Sequence, residues 1–250
     1  MDFQQHLAAF EEQARRRAER IEPRPLGGRL PRALVRSIQR FQAGEDGDGT
    51  RLIAAAARAG DPVYLAAIRL FEDEEHHHAV QLANVLRYAG AAPIAGHWTK
   101  TAFLLVRHAG ALRLELLTLM LAEVVALRYY LALRDGSSDA YVAGVAGGIL
   151  ADEERHVPFH LDRLRQGFAG TPLVGRVAAA GGWWVLMVGT VLVVALDHGR
   201  ALRTLGVTRR RFVTDVLRRF RPMAASVFSQ LAIAGRTATG RSLLDEHPRP

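Results

Sequence analysis

Asp73-Glu74-Glu75-His76-His77-His78 and Asp152-Glu153-Glu154-Arg155-His156 are the two stretches that decide how this 250-residue chain is read. Glu74 and His77, like Glu153 and His156, stand three residues apart. On an α-helix that spacing puts both side chains on one face, where their ligand atoms can converge on a single ion. The face is otherwise apolar, with Glu153 among Val142, Ala146, Ile149 and Leu164, and Glu74 among Val63, Ala67, Leu70 and Val85. A carboxylate turned into such a core is costly unless it is paired or takes up a proton. The pattern therefore predicts buried acids that need a counter-charge.

Working outward, glycine and proline punctuation cuts the chain into long helical runs with almost no strand-like alternation. Helices are expected over Asp2 to Ile21, from Pro31 past Gly44 to Ala59, from Asp61-Pro62 to Tyr88, over Thr101 to Leu133, and from Asp139 to Phe168. Asp61 is an N-cap with proline at the first helical position behind it. The third run set on the fifth at an offset of 79 pairs Asp73 with Asp152, Glu74 with Glu153 and His77 with His156. The second set on the fourth at an offset of 78 pairs Ile38 with Leu116 and Glu45 with Glu123. Two similar helical hairpins thus predict an all-α four-helix bundle with pseudo-two-fold symmetry and a site on its axis. The run from Glu74 to His78 also admits the frame Glu75-x-x-His78. The repeat selects Glu74 and His77, because Val157 is the counterpart of His78. Gly44-Glu45-Asp46-Gly47-Asp48-Gly49 fits a turn, since each interior glycine costs about 1 kcal/mol relative to alanine, but a distorted stretch of helix is the preferred expectation. Four carboxylates, Glu45, Glu74, Glu123 and Glu153, balance two divalent ions, with His77 and His156 as neutral ligands.

These residues resemble the ferritin-like di-iron or di-manganese carboxylate proteins, in which two helices give one Glu each and two give Glu-x-x-His. The resemblance covers about residues 31–168. It implies Glu45, Glu74, His77, Glu123, Glu153 and His156 as metal ligands and two iron ions, or manganese, as cofactor. Asp152-Glu153-Glu154-Arg155-His156 is also similar to the acid-Glu-x-Arg-His string of the oxygen-activating branch, which includes bacterial multicomponent monooxygenases and soluble desaturases. By that resemblance Asp73, Asp152 and Arg155 orient the ligand histidines. His160, one turn beyond His156, joins them as a ligand-supporting group. What the resemblance implies is an oxidoreductase that activates O2 or peroxide and acts on a small, lipophilic molecule. A rubrerythrin-like peroxidase, a ferroxidase, a manganese catalase or a non-catalytic metal-binding protein are the alternatives.

Composition narrows this further. The chain has no cysteine, so thiolate metal sites, iron–sulfur centres and thiol nucleophiles are excluded, and electrons must come from an external donor. The 33 basic residues outnumber the 25 acidic ones for a net charge of +8, and Lys100 is the one lysine. No nucleic-acid-binding module is recognisable, and no nucleic-acid partner is expected. A polar, charged N-terminal stretch predicts no secretory leader and a cytoplasmic protein. Residues 1–30 read as an N-terminal helix and linker, 31–168 as the bundle, and 169–250 as a helical extension. Within that extension, residues 177–196 carry no charge. This segment fits a buried capping helix, an interfacial helix or a membrane span, so membrane association and oligomerisation both stay open.

Overall fold

The computed structural model describes residues 2–19, 27–47, 49–96 and 112–229. Among the described residues all regular structure is helical. The helices are α1 (Phe3–Glu19), α2 (Arg32–Glu45), α3 (Thr50–Arg58), α4 (Pro62–Tyr88), α5 (Leu112–Gly136), α6 (Ala140–Phe168), α7 (Leu173–Asp197), α8 (Gly199–Thr204) and α9 (Arg209–Phe228). Two hairpins form the bundle, α2 and α3 with α4, and α5 with α6, and α4 meets α6 across its centre. The expected four-helix architecture is present. The portion of the fourth helix expected over residues 101–111 lies outside the described residues.

Caps fix where the long helices begin. Asp61 accepts hydrogen bonds from the Val63 and Tyr64 N–H groups, and Asp139 does the same for Tyr141 and Val142. Each satisfies N–H groups that the first turn leaves without partners. Asp139 also accepts a 2.7 Å hydrogen bond from the Tyr88 hydroxyl. The start of one hairpin's second helix is thereby tied to the end of the other's.

The second helix does not run on to Ala59 as a distorted helix. It stops at Glu45, and a new one begins at Thr50 behind Gly49, whose φ of 60° is left-handed. Three glycines within six residues make continuation expensive, and the left-handed turn that glycine alone adopts easily redirects the chain. Glu45 is left at a helix end beside the bundle axis.

Helix α5 is long and apolar enough to cross a membrane, but 89% of its most apolar window is buried within this chain. It is the core helix of the bundle. Helix α7 passes the same test with 17% buried. Only Trp183, Met187, Val191 and Ala195, at a spacing of four, are buried. The Trp183 indole donates to the Leu117 carbonyl at 2.7 Å and packs edge-on against Phe220 of α9. Helix α7 is thus a surface helix held along one narrow stripe, so its apolar character does not come from burial on every side.

Replacing Asp139 by Ala removes two capping bonds and the acceptor of Tyr88 at once. A loss of about 1–2 kcal/mol is expected, seen as a lower urea midpoint with an unchanged slope.

Candidate metal centre

Six side chains meet on the bundle axis: Glu45 from α2, Glu75 and His78 from α4, Glu123 from α5, and Glu153 and His156 from α6. Ligand atoms of Glu75, Glu123, Glu153 and His156 all lie within 4.8 Å of one another, close enough to hold a metal ion. His156 Nδ1 is 3.2 Å from Glu75 Oε1, 3.4 Å from Glu153 Oε2 and 3.8 Å from Glu123 Oε2. His78 Nδ1 is 3.5 Å from Glu75 Oε1 and 3.6 Å from Glu153 Oε1. Glu75 and Glu153 therefore lie between the two histidines. Glu45 and Glu123 flank them.

The structure corrects the register in α4. Glu75 and His78 face the centre, and Glu74 and His77 do not. The offset that relates the two hairpins at the site is 78 throughout, pairing Glu45 with Glu123, Glu75 with Glu153 and His78 with His156. Glu74 is buried, but its carboxylate is bound by Arg17, by Arg155 at 3.3 Å and by His156 Nε2 at 2.8 Å. His77 is half-buried one position from the ligand frame.

The 78-residue offset also pairs Glu74 with Asp152, and the two do the same work. Glu74 meets Nε2 of His156, and Asp152 meets Nε2 of His78 at 3.1 Å. Each carboxylate accepts from Nε2 of the opposite hairpin's histidine and leaves that ring's Nδ1 turned to the centre. Arg155 Nη2 bridges them, 2.5 Å from Asp152 Oδ1. Asp152 and Arg155, expected to orient the histidines, both lie in this shell of contacts. Asp73 is exposed on the outer face of α4 and makes no part of this shell. His160 is fully buried, edge-on to Phe71 at 4.6 Å, outside the cluster.

Sequence reasoning missed the contribution of α1. Gln13 donates to Asp152 Oδ1 at 3.3 Å, Arg17 binds Glu74, and Phe10 stacks on His156 with ring centroids 6.0 Å apart. The Tyr130 hydroxyl, fully buried, donates to Glu45 Oε1 at 2.5 Å.

The electrostatics are those of a charge cluster in need of cations. Burial, then the neighbouring Glu75 and Glu153, pushes Glu45 well above the usual carboxylate range, and burial with Glu153 does so for Glu123. Burial opposes charge on Glu75 too, but hydrogen bonds from His156 and His78 hold it below the usual range. Burial also opposes charge on the histidines. Asp152 and Glu75 overcome it at His78, pushed up to about 10, and Glu153 and Glu74 do the same at His156. Protons thus stand in for the missing positive charge. Glu75 Oε1, Glu123 Oε2, Glu153 Oε2, His78 Nδ1 and His156 Nδ1 are all buried without a hydrogen bond of good geometry. Buried polar atoms are almost always satisfied. Five orphans pointing at one centre fit metal ligands.

An apolar cavity of about 590 Å³ adjoins the cluster. Glu45, Glu75, Glu123 and Glu153 form its charged end, Phe71, Leu119, Ala122 and Val125 line its middle, and Leu186 and Val194 of α7 close one side. Arg40, Asp197 and His198 stand at its polar margin.

No known family and no curated protein matches the sequence. Among solved structures the chain is similar to a Synechococcus protein described as protein 19 with aldehyde deformylating oxidase activity. The TM-score is 0.61 at 19% identity, over 84% of this chain and 98% of that one. Likeness at that identity shows a shared helical-bundle fold.

Two outcomes follow from the register and the protons. Glu75→Ala is expected to lower the metal bound per chain at least severalfold, whereas Glu74→Ala keeps most of the metal and weakens its retention, within the 10–100-fold typical of groups that orient ligands. Metal analysis after dialysis separates the two. Because Glu45, Glu123, His78 and His156 are all shifted upward, metal-free protein carries protons there near neutrality that metal must displace. Affinity therefore rises with pH from 5 to 8, with proton release on loading measurable in a weakly buffered titration.

Proposed function

We propose that the chain is a dinuclear-metal oxidoreductase that activates dioxygen and oxidises a small lipophilic molecule held in the cavity beside the cluster. The observation that carries this reading is the joining of the two features. Four inward-facing glutamates of the cluster form one end of a pocket whose remaining wall is largely apolar. A centre that handled only peroxide or free iron would have no use for an apolar chamber of that size.

Glu75, Glu123, Glu153 and His156 would hold metal, with Glu45 and His78 beside them as further ligands. Two iron ions, when bound, supply one-electron chemistry with O2, and manganese suits the same ligands. Nδ1 coordination is prepared in advance, because Glu74 and Asp152 keep the proton of each imidazole on Nε2. Tyr130 donates its hydroxyl proton in a hydrogen bond to Glu45 Oε1 and holds that carboxylate at the helix end. Phe10 and Phe71 pack against His156 and exclude water from the back of the site. Phe71, Ala122 and Val125 bury an apolar substrate next to the carboxylates, and dry surroundings strengthen every charge interaction there. With no cysteine in the sequence, reducing equivalents come from a separate donor.

Iron-loaded protein given a chemical reductant and apolar candidates, such as medium-chain aldehydes and hydrocarbons, is expected to consume O2 in a substrate-dependent way and to yield an oxidised product by mass spectrometry. Ala122→Trp, which fills the cavity without touching a ligand, is expected to retain iron and lose at least tenfold of that turnover. Ferrous oxidation or peroxide dismutation at full rate, indifferent to any organic molecule and to Ala122→Trp, would instead assign a ferroxidase or catalase.

A further inference from the structure

Helix α7 presents to solvent a face with no charged side chain over its whole length. Val174, Val185, Leu192 and Leu196 on it are 82%, 72%, 47% and 65% exposed. Gly175, Ala178, Gly182, Val185, Gly189, Leu192 and Leu196 follow one another at alternating spacings of three and four. That is a heptad seam, the pattern of two helices packed side by side. One of its two positions is glycine in three successive heptads, Gly175, Gly182 and Gly189.

These glycines are costly, at about 1 kcal/mol each relative to alanine in a helix interior. Nothing among the described residues explains two of them, since a Cβ added at Gly182 or Gly189 would meet none of their atoms within 4 Å. A lipid surface gains nothing from a residue without a side chain. A second helix does, because glycine is a hole into which a side chain opposite can fit.

The seam fits itself in one direction. In an antiparallel pair the two heptad positions face each other, so Gly175 meets Leu192, Gly182 meets Val185 and Gly189 meets Ala178. Every glycine faces a larger residue, and the relation is the same from either side, as a two-fold axis requires. A parallel pair would set glycine against glycine and leave voids. We propose that α7 is the interface of a homodimer, in which two copies pack antiparallel through this seam.

At 25 residues α7 is about 37 Å long and, with side chains, about 10–12 Å wide. Two such faces bury on the order of 1,000 Å², near the lower bound for a specific interface. Close approach at the glycines is what makes that area sufficient. Val185 and Gly189 also line the cavity next to the carboxylates. The partner's helix therefore lies across that wall, with the partner's Gly182 over Val185. This consequence rests on the proposed oxidoreductase reading, but the dimer does not.

Sedimentation equilibrium of the full chain at micromolar concentration, without detergent, is expected to give twice the 27.5 kDa of one copy. Gly182→Leu and Gly189→Leu fill the holes from an open face, and each is expected to weaken the dimer at least tenfold. The chain has no cysteine, so a single introduced thiol is unique. Val185→Cys places the two thiols about 4.5 Å apart along the axis, whereas Val174→Cys separates them by about 28 Å. A short bifunctional thiol reagent should cross-link the first and spare the second, and this readout stands even where a leucine variant fails to fold. A monomer throughout the concentration range, partition of the chain onto anionic phospholipid vesicles in place of dimerisation, or equal cross-linking of both cysteine variants would overturn the proposal. None of these measurements uses metal or turnover, so failure of the dimer and failure of the functional reading are distinguishable.

Discussion

Four glutamates and two histidines converge in the middle of an apolar bundle, and that repulsion is the constraint around which the rest is arranged. Moving even one carboxylate out of water without a partner is prohibitive, and four side by side cannot all remain ionised. The metal-free chain resolves this with protons. Glu45 and Glu123 are pushed toward their neutral forms and His78 and His156 toward their charged forms, while Glu75, between the two histidines, keeps its charge. Two divalent ions would resolve it with charge. The neighbours outside the cluster suit both states: Glu74 and Asp152 stabilise an imidazolium when metal is absent and fix the imidazole tautomer when it is present. Arg17 and Arg155 then neutralise Glu74 and Asp152 in turn, so alternating charge runs outward from the axis to the surface.

How far this was legible in sequence depends on which kind of signal is followed. Helix limits set by local chemistry were readable: Asp61 and Asp139 announce the starts of α4 and α6, and both cap as expected. The register of the repeat was not readable from residue identity. An offset of 79 aligns three acids with three acids and His77 with His156. Yet Asp73 and Glu154 are exposed, and identity between solvated acids has no bearing on which residue faces the axis. The geometric signal was the separation along the chain. Glu45 precedes Glu75 by the same 30 residues by which Glu123 precedes Glu153. Two hairpins related by one axis require a single offset, and the clear pairing of Glu45 with Glu123 had already fixed it at 78.

The role of α1 was half legible. Phe3, His6, Phe10, Gln13 and Arg17 recur at spacings of three and four, so one face of that helix must meet something. The apolar part of the stripe packs around Phe159, and its polar end arrives at Asp152 and Glu74. Periodicity gives the face of a helix but not its partner, which depends on contacts more than fifty residues away. The uniform apolarity of α7 left a buried, an interfacial and a membrane-spanning helix open, and it does not show that the faces differ: one narrow stripe seats on α5 and α9, and the other carries the glycine heptads.

The break after Glu45 connects the site to its surroundings. Had α2 continued, the next turns would have occupied the space beside Glu75 and Glu123 with side chains. Instead the chain turns away through a segment whose Gly44, Gly47 and Gly49 line the cavity without filling it, and Glu45 is left at the helix end, held by Tyr130. The glycines that make this stretch a poor helix are therefore what gives the cluster an approach. Helix α7, docked only along Trp183, Met187, Val191 and Ala195, forms the opposite wall with Leu186 and Val194. Of the elements that bound the chamber, α5 and α6 carry residues of the cluster, whereas α7 carries none and is seated along one stripe. Any contact that positions α7 therefore sets the width of the chamber without altering a single ligand.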